Sequence, residues 1–360
     1  MNRPSGGTVR LKLSLRGRAA AGNLPIRFEK QSHAPDEAWD DPEQPAPQTC
    51  FLRDGSRSII TYNDSPDVGF DASINPYRGC EHGCIYCYAR PTHEYLGLSA
   101  GLDFETRIMV KEQAPELLRR ELSSPGWKPR VLAVSGVTDP YQPVERRLGL
   151  TRRCLEVLAE FRNPVVVITK NHLVTRDADL LGELAGQQAA AVFVSVTTLN
   201  GDLTRVMEPR TSHPAKRLAA MESLAAAGVP VGVLVAPVIP GLTDHELPSV
   251  IRAAAAAGAR CAGYVVLRLP YGVATLFEDW LERHFPDRKD KVLNRVRSMR
   301  GGRLNDPRFG TRLRGEGVFA DQTKAMFDLA CRRAGILSRR PALSTAAFRR
   351  PAGEQMPLFH

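Results

Sequence analysis

The sequence predicts an α/β protein: a partial (β/α)6 barrel with an N-terminal extension and a basic helical C-terminal appendage. The first observation is an alternation beginning near residue 73. Six short runs rich in Val and Ile are each followed by a longer stretch with helical apolar spacing. The second is that every run after the first is almost wholly apolar, as parallel strands covered on both faces are. The third is that polar residues gather where the runs end, and β/α barrels carry their chemistry at that end. Six units are fewer than the eight of a closed barrel.

The strands, in order, are SINPYRG at 73–79, VLAVSG at 131–136, PVVVIT at 164–169, AVFVSVTT at 191–198, PVGVLVAP at 230–237 and GYVVLRL at 263–269. Helices are expected at 113–123, 148–161, 176–188, 214–227 and 245–257, where Ala, Leu, Glu and Arg supply an apolar face. Residues 1–49 read as a largely flexible extension, because 31–49 holds five acids and four prolines without apolar periodicity. The barrel spans 50–280. Beyond it, 281–340 form a separate basic appendage, with helices at 289–300 and 320–334, and 341–360 form a flexible tail.

The net charge of +10 is unevenly placed. Residues 283–350 hold 15 Arg and 3 Lys against 6 acids, so the rest of the chain is close to neutral. Such a segment suits a polyanion, with nucleic acid ahead of a membrane because no amphipathic anchor stands out. A solvated Arg-rich face is the plainer reading. No run of about 18 apolar residues occurs and charges interrupt the start, so neither a membrane span nor a secretory signal is expected. The expected compartment is the cytoplasm.

Seven cysteines are an odd number, and three of them (Cys80, Cys84 and Cys87) fall within eight residues. That pattern suits a metal site in a reducing compartment better than a disulfide framework. Three thiolates can hold three irons of a [4Fe-4S] cluster and leave the fourth open to a small molecule. Gly79 and Gly83 let the backbone wrap tightly, and Tyr86 is an aromatic placed to cover an adenine. The competing reading is a zinc site completed by His82 or His93, for which the chain lacks a second Cys-x2-Cys pair.

The Cys-x3-Cys-x2-Cys loop with an aromatic before its third cysteine resembles the radical SAM superfamily. SIITYNDSPDVGFDASINPYRGCEHGCIYCYARPTHEYLG, TDPYQPVE, MEPR and VLVAPVIPGLTDHE resemble its bacterial branch grouped with spore photoproduct lyase, over about residues 50–335. The resemblance implies a radical SAM barrel whose open iron chelates S-adenosyl-L-methionine. Reductive cleavage of that cofactor gives methionine and a 5′-deoxyadenosyl radical, which takes a hydrogen atom from the substrate. It also implies an electron donor such as flavodoxin or ferredoxin.

By the same resemblance, Lys170 matches a lysine near the cofactor carboxylate and Ser195 a serine near its ribose. Ser135, Thr138 and Asp139 match the stretch that holds the methionine amino group. The branch's hydrogen-donor cysteine after the second strand has no counterpart between Cys87 and Cys154, and Tyr141 is the nearest residue able to give up a hydrogen atom. Repair of the spore lesion by the same route is therefore not carried over.

The ending Gln355-Met356-Pro357-Leu358-Phe359 resembles the short peptide by which bacterial repair proteins dock on the DNA sliding clamp. With the basic segment, it favours a radical enzyme acting on nucleic acid. The alternatives are radical modification of a small metabolite or protein, and a non-catalytic metal-containing nucleic-acid binding protein.

Overall fold

The β-branched runs pair as their composition requires. A computed structural model describes residues 15–29, 47–337 and 341–351. It contains β1 (Cys50–Arg53), β2 (Ile60–Tyr62), β3 (Ala72–Ile74), β4 (Tyr77–Arg78), β5 (Arg107–Val110), β6 (Leu132–Val134), β7 (Val165–Thr169), β8 (Ala190–Ser195), β9 (Val231–Val238) and β10 (Cys261–Val266). The main sheet runs β10-β9-β8-β7-β6-β3-β2, with β3 to β10 parallel and β2 antiparallel at one edge. Its ends do not pair, so the barrel is partial. A second sheet has the order β1-β5-β4.

The helices are α1 (Leu102–Thr106), α2 (Ala114–Ser123), α3 (Glu145–Leu148), α4 (Leu150–Phe161), α5 (Ala178–Ala185), α6 (Gly201–Met207), α7 (Pro214–Ala226), α8 (Leu247–Ala256), α9 (Gly272–His284), α10 (Pro286–Ser298) and α11 (Val318–Ala334). Leu155, Leu158, Leu181, Met221, Leu224, Val250 and Ile251 of the crossover helices share one core with Val134, Val167, Val194 and Val233 of the sheet.

The expected first strand is two strands. Pro76 cannot donate to a ladder, and the chain turns there. Asn75 Oδ1 accepts from the Tyr77 N–H (2.9 Å), and its Nδ2 donates to the Thr138 carbonyl (2.7 Å). Ala72–Ile74 thus stay in the barrel, while Tyr77–Arg78 pair with β5 and deliver the chain to Cys80.

The C-terminal segment is not a separate appendage. Strand β10 is the barrel's exposed edge, and unpaired edge groups demand partners. The N–H groups of Val266, Leu269 and Ala262 donate to the carbonyls of Leu313, Leu304 and Leu337 (2.8, 3.0 and 2.8 Å). Arg300, 2% exposed, donates to the carbonyls of Val266, Leu267 and Arg312 (2.8, 2.9 and 3.0 Å). Trp280, Leu281, Val292 and Val296 share a core with Cys84 and Tyr86, so α9 and α10 pack directly behind the cysteine loop.

Residues 15–29 also depart from a flexible extension. Arg18 donates to the Glu105 carbonyl (2.8 Å), the Ala19 and Ala20 N–H groups donate to the Glu105 carboxylate, and both alanines join the core containing Cys84. Within the expected tail, Phe348 packs on Phe161, and the Arg349 N–H donates to the Phe161 carbonyl (2.9 Å). Most of the acidic linker, residues 30–46, and the Gln355–Phe359 peptide lie outside the described residues.

Candidate cluster and cofactor site

The three cysteines lie in a loop wound by its own backbone. The Cys80 N–H donates to the Phe104 carbonyl (2.8 Å). Gly83 N–H then closes on the Cys80 carbonyl and Cys87 N–H on the Cys84 carbonyl, both at 3.2 Å. Gly79 and Gly83 adopt φ of 79° and 65°. A Cβ on Gly79 would meet His93 Cε1 at 2.9 Å, and one on Gly83 would meet Glu105 Oε2 at 2.7 Å, so neither tolerates a side chain.

Arg90 and Glu105 tie the loop down from below. The Arg90 guanidinium donates to the carbonyls of Gly83 (2.8 Å), Cys84 (3.0 Å), Ala100 (3.1 Å) and Gly101 (3.0 Å). It also pairs with Glu105 at 2.5 Å, both side chains being 0% exposed. Sequence reasoning passed over both residues. The available signal was an Arg three places after Cys87, but its partner fifteen residues later shares no periodicity with it.

The donor set fits a cluster with one iron lacking a protein ligand. None of the seven cysteines forms a disulfide, and the buried Cys154, Cys261 and Cys331 belong to other parts of the core. Burial raises all three loop thiols; for Cys80, nearby Asp139 and Cys84 raise it further, while backbone N–H groups of Asp139 on Cys80 and of Ala89 and Arg90 on Cys87 oppose the rise. Such N–H donors are the ones that tune thiolate ligands.

Among the described residues no group of three His, Cys, Asp or Glu side chains is placed to hold a single metal ion. Cluster thiolates bind separate irons, so they need not converge on one point. The histidines of the zinc alternative are engaged elsewhere. His82 Nδ1 stands 3.3 Å from Asp139 and its Nε2 3.2 Å from Asn171, while His93 Nε2 meets the Arg107 carbonyl at 2.9 Å.

The strand register brings the predicted cofactor residues to one end of the sheet. Thr169 pairs with Val194, so Lys170 and Ser195 leave adjacent strands at the same level. Lys170 Nζ donates to the Ala236 carbonyl (2.9 Å), lies 3.6 Å from Glu208 Oε1, and stands 5.8 Å from the Tyr86 ring centroid. Tyr86 donates its hydroxyl to Glu208, and Thr197 Oγ1 donates to the same oxygen (2.8 Å). Arg217 pairs with Glu208 and donates to the Ser195 carbonyl (3.0 Å). Burial opposes the Glu208 charge, but Arg217 and Lys170 outweigh it and hold the carboxyl at about 2.

Asp139 is saturated by the protein. Its carboxylate accepts from Thr169 Oγ1 (2.7 Å), Lys170 N–H (2.7 Å) and Tyr141 N–H (2.9 Å), and faces His82. Thr138 Oγ1 donates to the Tyr77 carbonyl (3.1 Å), and Ser135 Oγ lies 3.5 Å from the Thr138 carbonyl. The expectation of Tyr141 as hydrogen-atom donor is corrected by its position. It is 0% exposed in the main core with its hydroxyl donated to Asp177 (2.9 Å), which leaves no open path to a substrate.

Tyr88, the residue after Cys87, is a phenol that reaches solvent. It is 48% exposed, and its hydroxyl crosses to the Gly136 carbonyl after β6 (2.6 Å). Half-buried Arg268, after β10, lies 4.9 Å from its ring and makes no ion pair among the described residues. Nearby in the chain, Arg312 stands 4.5 Å from the Phe309 ring, and Arg27 stands 3.7 Å from the 65%-exposed ring of Tyr271. Isolated aromatics in the sequence carried no sign that folding would pair them with arginines.

Comparison with known proteins agrees with this geometry. An uncharacterised protein of Mycobacterium bovis is 40% identical over 220 residues, covering 61% of this chain and 65% of its own. One of Methanocaldococcus jannaschii is 30% identical over 173 residues, covering 48% and 62%. The chain thus spans just under two thirds of the length of the curated relatives it matches. Spore photoproduct lyase complexed with dinucleoside spore photoproduct superposes with a TM-score of 0.56 at 15% identity, covering 79% of each chain. A double mutant of that lyase with bound AdoMet and dinucleoside spore photoproduct gives 0.55 at 15% identity, covering 81% of this chain and 82% of its own. At that identity the likeness concerns the fold. The radical SAM superfamily model matches residues 74–254, a stretch holding the three cysteines, Lys170, Ser195 and Glu208. The chain belongs to the radical SAM superfamily, whose cofactors are a [4Fe-4S] cluster and S-adenosyl-L-methionine.

Proposed function

We propose that this protein is a radical SAM enzyme whose substrate is a nucleic acid. Cys80, Cys84 and Cys87 would hold the cluster. Ser135, Lys170 and Ser195 would form the cofactor side of the pocket, with Lys170 offering an ammonium to a carboxylate, and Tyr86, Thr138 and Asp139, whose polar atoms are taken by the protein, would hold that side in place. When bound, the cluster and S-adenosyl-L-methionine supply reductive C–S cleavage and a 5′-deoxyadenosyl radical. The chain's part is to orient and to exclude. Glu208 fixes Tyr86 and Lys170 in one arrangement, and the apolar packing of Ile85, Met207, Ile239 and Trp280 keeps water from the loop's underside.

The observation that carries the substrate class is the pairing of exposed Tyr88, directly after the cysteine loop, with Arg268 after β10; exposed Phe309 and Tyr271 also lie against arginines, although Arg312 and Arg27 there already pair with Asp67 and Glu94. Bases stack on aromatic faces and guanidinium groups hold phosphates, so alternating the two suits an unpaired strand. Arg268, half-buried and without a carboxylate, has the character of a phosphate contact.

The test is anisotropy of a labelled single-stranded oligonucleotide with the full chain. Arg268→Ala combined with Phe309→Ala should weaken binding about tenfold, the lower part of the range for losing one stacked base. Binding by the full chain should also weaken steeply between 50 and 200 mM salt. A full chain that ignores the oligonucleotide at low salt removes the nucleic-acid reading in favour of radical modification of a metabolite or protein. Absence of 5′-deoxyadenosine after reconstitution, with S-adenosyl-L-methionine and dithionite, removes the enzyme reading and leaves a non-catalytic binding protein.

A further inference from the structure

The residues that follow Cys80 reach a basic surface. Glu81 lines a cleft of about 600 Å³ together with Arg16, Arg18, Arg147, Arg210 and Phe51. A neighbouring cleft of about 450 Å³ is lined by Arg146, Asn171, His172, Arg176 and Lys216, among others. The two adjoin at α3, where Arg147 faces the first and Arg146 the second, and at the segment from Arg210 to Ser212. Among the described residues Glu81 is the one carboxylate lining either cleft, and Arg210 already pairs with it at 3.0 Å.

The inward-facing cations of these clefts are spoken for. Arg18 is bound to Glu105, Pro47 and Thr49, and Arg176 to Asp177 and Glu145. Arg16, Arg146, Arg147 and Lys216 are exposed and form no ion pair among the described residues, so their field is directed outward. Between the clefts, the loop interior is a continuous bonded path. Glu81 N–H is held by Gln142 (2.9 Å), His82 is held by Asp139 and Asn171, and Asn171 itself lines the second cleft. Cys80 is thus next in the chain to Glu81, which lines a basic concave surface.

We propose that this face docks an acidic one-electron carrier protein and is the route by which the cluster is reduced. The inference rests on the cluster assignment above. In the step, one electron leaves the carrier, which is oxidised by one unit, and enters the cluster, which is reduced by one; no bond forms or breaks. Opposite charge steers such encounters and raises the association rate, an effect that salt screens.

The experiment uses the reconstituted full chain and reduced flavodoxin as the acidic probe, with cluster bleaching followed by stopped flow. Arg146→Glu, Arg147→Glu and Lys216→Glu together should lower the second-order rate at least tenfold at low salt and flatten its salt dependence. Bleaching by dithionite, which needs no docking, should be unchanged and reports intact cluster and fold. Capture of oxidised flavodoxin by the chain before reconstitution should fall in parallel, a readout that stands even if cluster assembly fails and the enzyme reading falls with it. Equal flavodoxin rates for variant and parent overturn the proposal. So does a variant that keeps flavodoxin reduction but loses oligonucleotide binding, since the face would then belong to nucleic acid.

Discussion

Arg90→Met removes the guanidinium beneath the cysteine loop while retaining most of the side chain's apolar length. Four backbone carbonyls lose their donor, and Glu105 loses the partner that stands 2.5 Å away with both side chains 0% exposed. Orphaning one member of a buried ion pair costs about 3–5 kcal/mol. The Ala19 and Ala20 N–H groups still serve Glu105, which favours the lower end of that range, but the stranded carbonyls of Gly83 and Cys84 add to it. A loss of about 4 kcal/mol lowers Tm by about 8–16 °C at the sensitivity of chains of 150–250 residues. The assay is thermal unfolding of the full chain, with iron and sulfide content after anaerobic reconstitution. Arg90→Met should unfold earlier and load poorly. Adding Glu105→Gln removes the stranded charge and should restore about 1–3 kcal/mol, the size of coupling between contacting residues. Parental Tm and full loading in Arg90→Met would refute the reasoning, as would a double variant no more stable than the single one.

Further outcomes follow from the same geometry. Gly83→Ala must adopt φ of 65° with its Cβ 2.7 Å from Glu105 Oε2; it should lose about 1–2 kcal/mol from backbone conformation alone and show reduced iron retention during gel filtration. Lys170→Met, at a side chain 15% exposed, should weaken S-adenosyl-L-methionine binding to the reconstituted protein about tenfold in equilibrium dialysis, with a smaller fall in Tm than Arg90→Met because Arg217 still pairs with Glu208; unchanged binding would remove Lys170 from the cofactor contacts. Burial drives the His93 ring down from 6.5 to about 4, and its hydrogen bond to the Arg107 carbonyl does not offset this. Protons therefore favour the unfolded chain. His93's contribution is complete above pH 6.5 and is lost as pH falls toward 4, a swing of about 3 kcal/mol in denaturant titrations that His93→Gln should flatten.

Much of the architecture was legible because barrel strands declare themselves by composition. VVVIT, AVFVS and VGVLVAPV are buried on both faces, and nothing but a covered parallel sheet suits them. The expected helices recur within a few residues for the same reason, since an apolar stripe must face that sheet. Strands β1 and β5 were not legible, and β4 was read as the end of the first strand. They are two to four residues long, alternate weakly, and pair only with residues far along the chain, Cys50 with Arg107 and Tyr77 with Val110.

The sequence by itself determined the family and named the candidate cluster ligands, because three cysteines at this spacing, with glycines before the first and between the first two, are a local device whose chemistry does not depend on distant residues. Tertiary structure decided what surrounds them. Arg90 meets Glu105, Glu208 gathers Tyr86, Lys170 and Arg217, and Tyr88 comes to lie beside Arg268 only when the strands take their register. It also decided that the basic C-terminal segment covers the open edge of the barrel rather than standing apart. Charge along a chain says how many arginines there are, but hydrogen-bond demand at β10 fixes that segment against the barrel and turns Arg300 inward while other arginines stay in solvent.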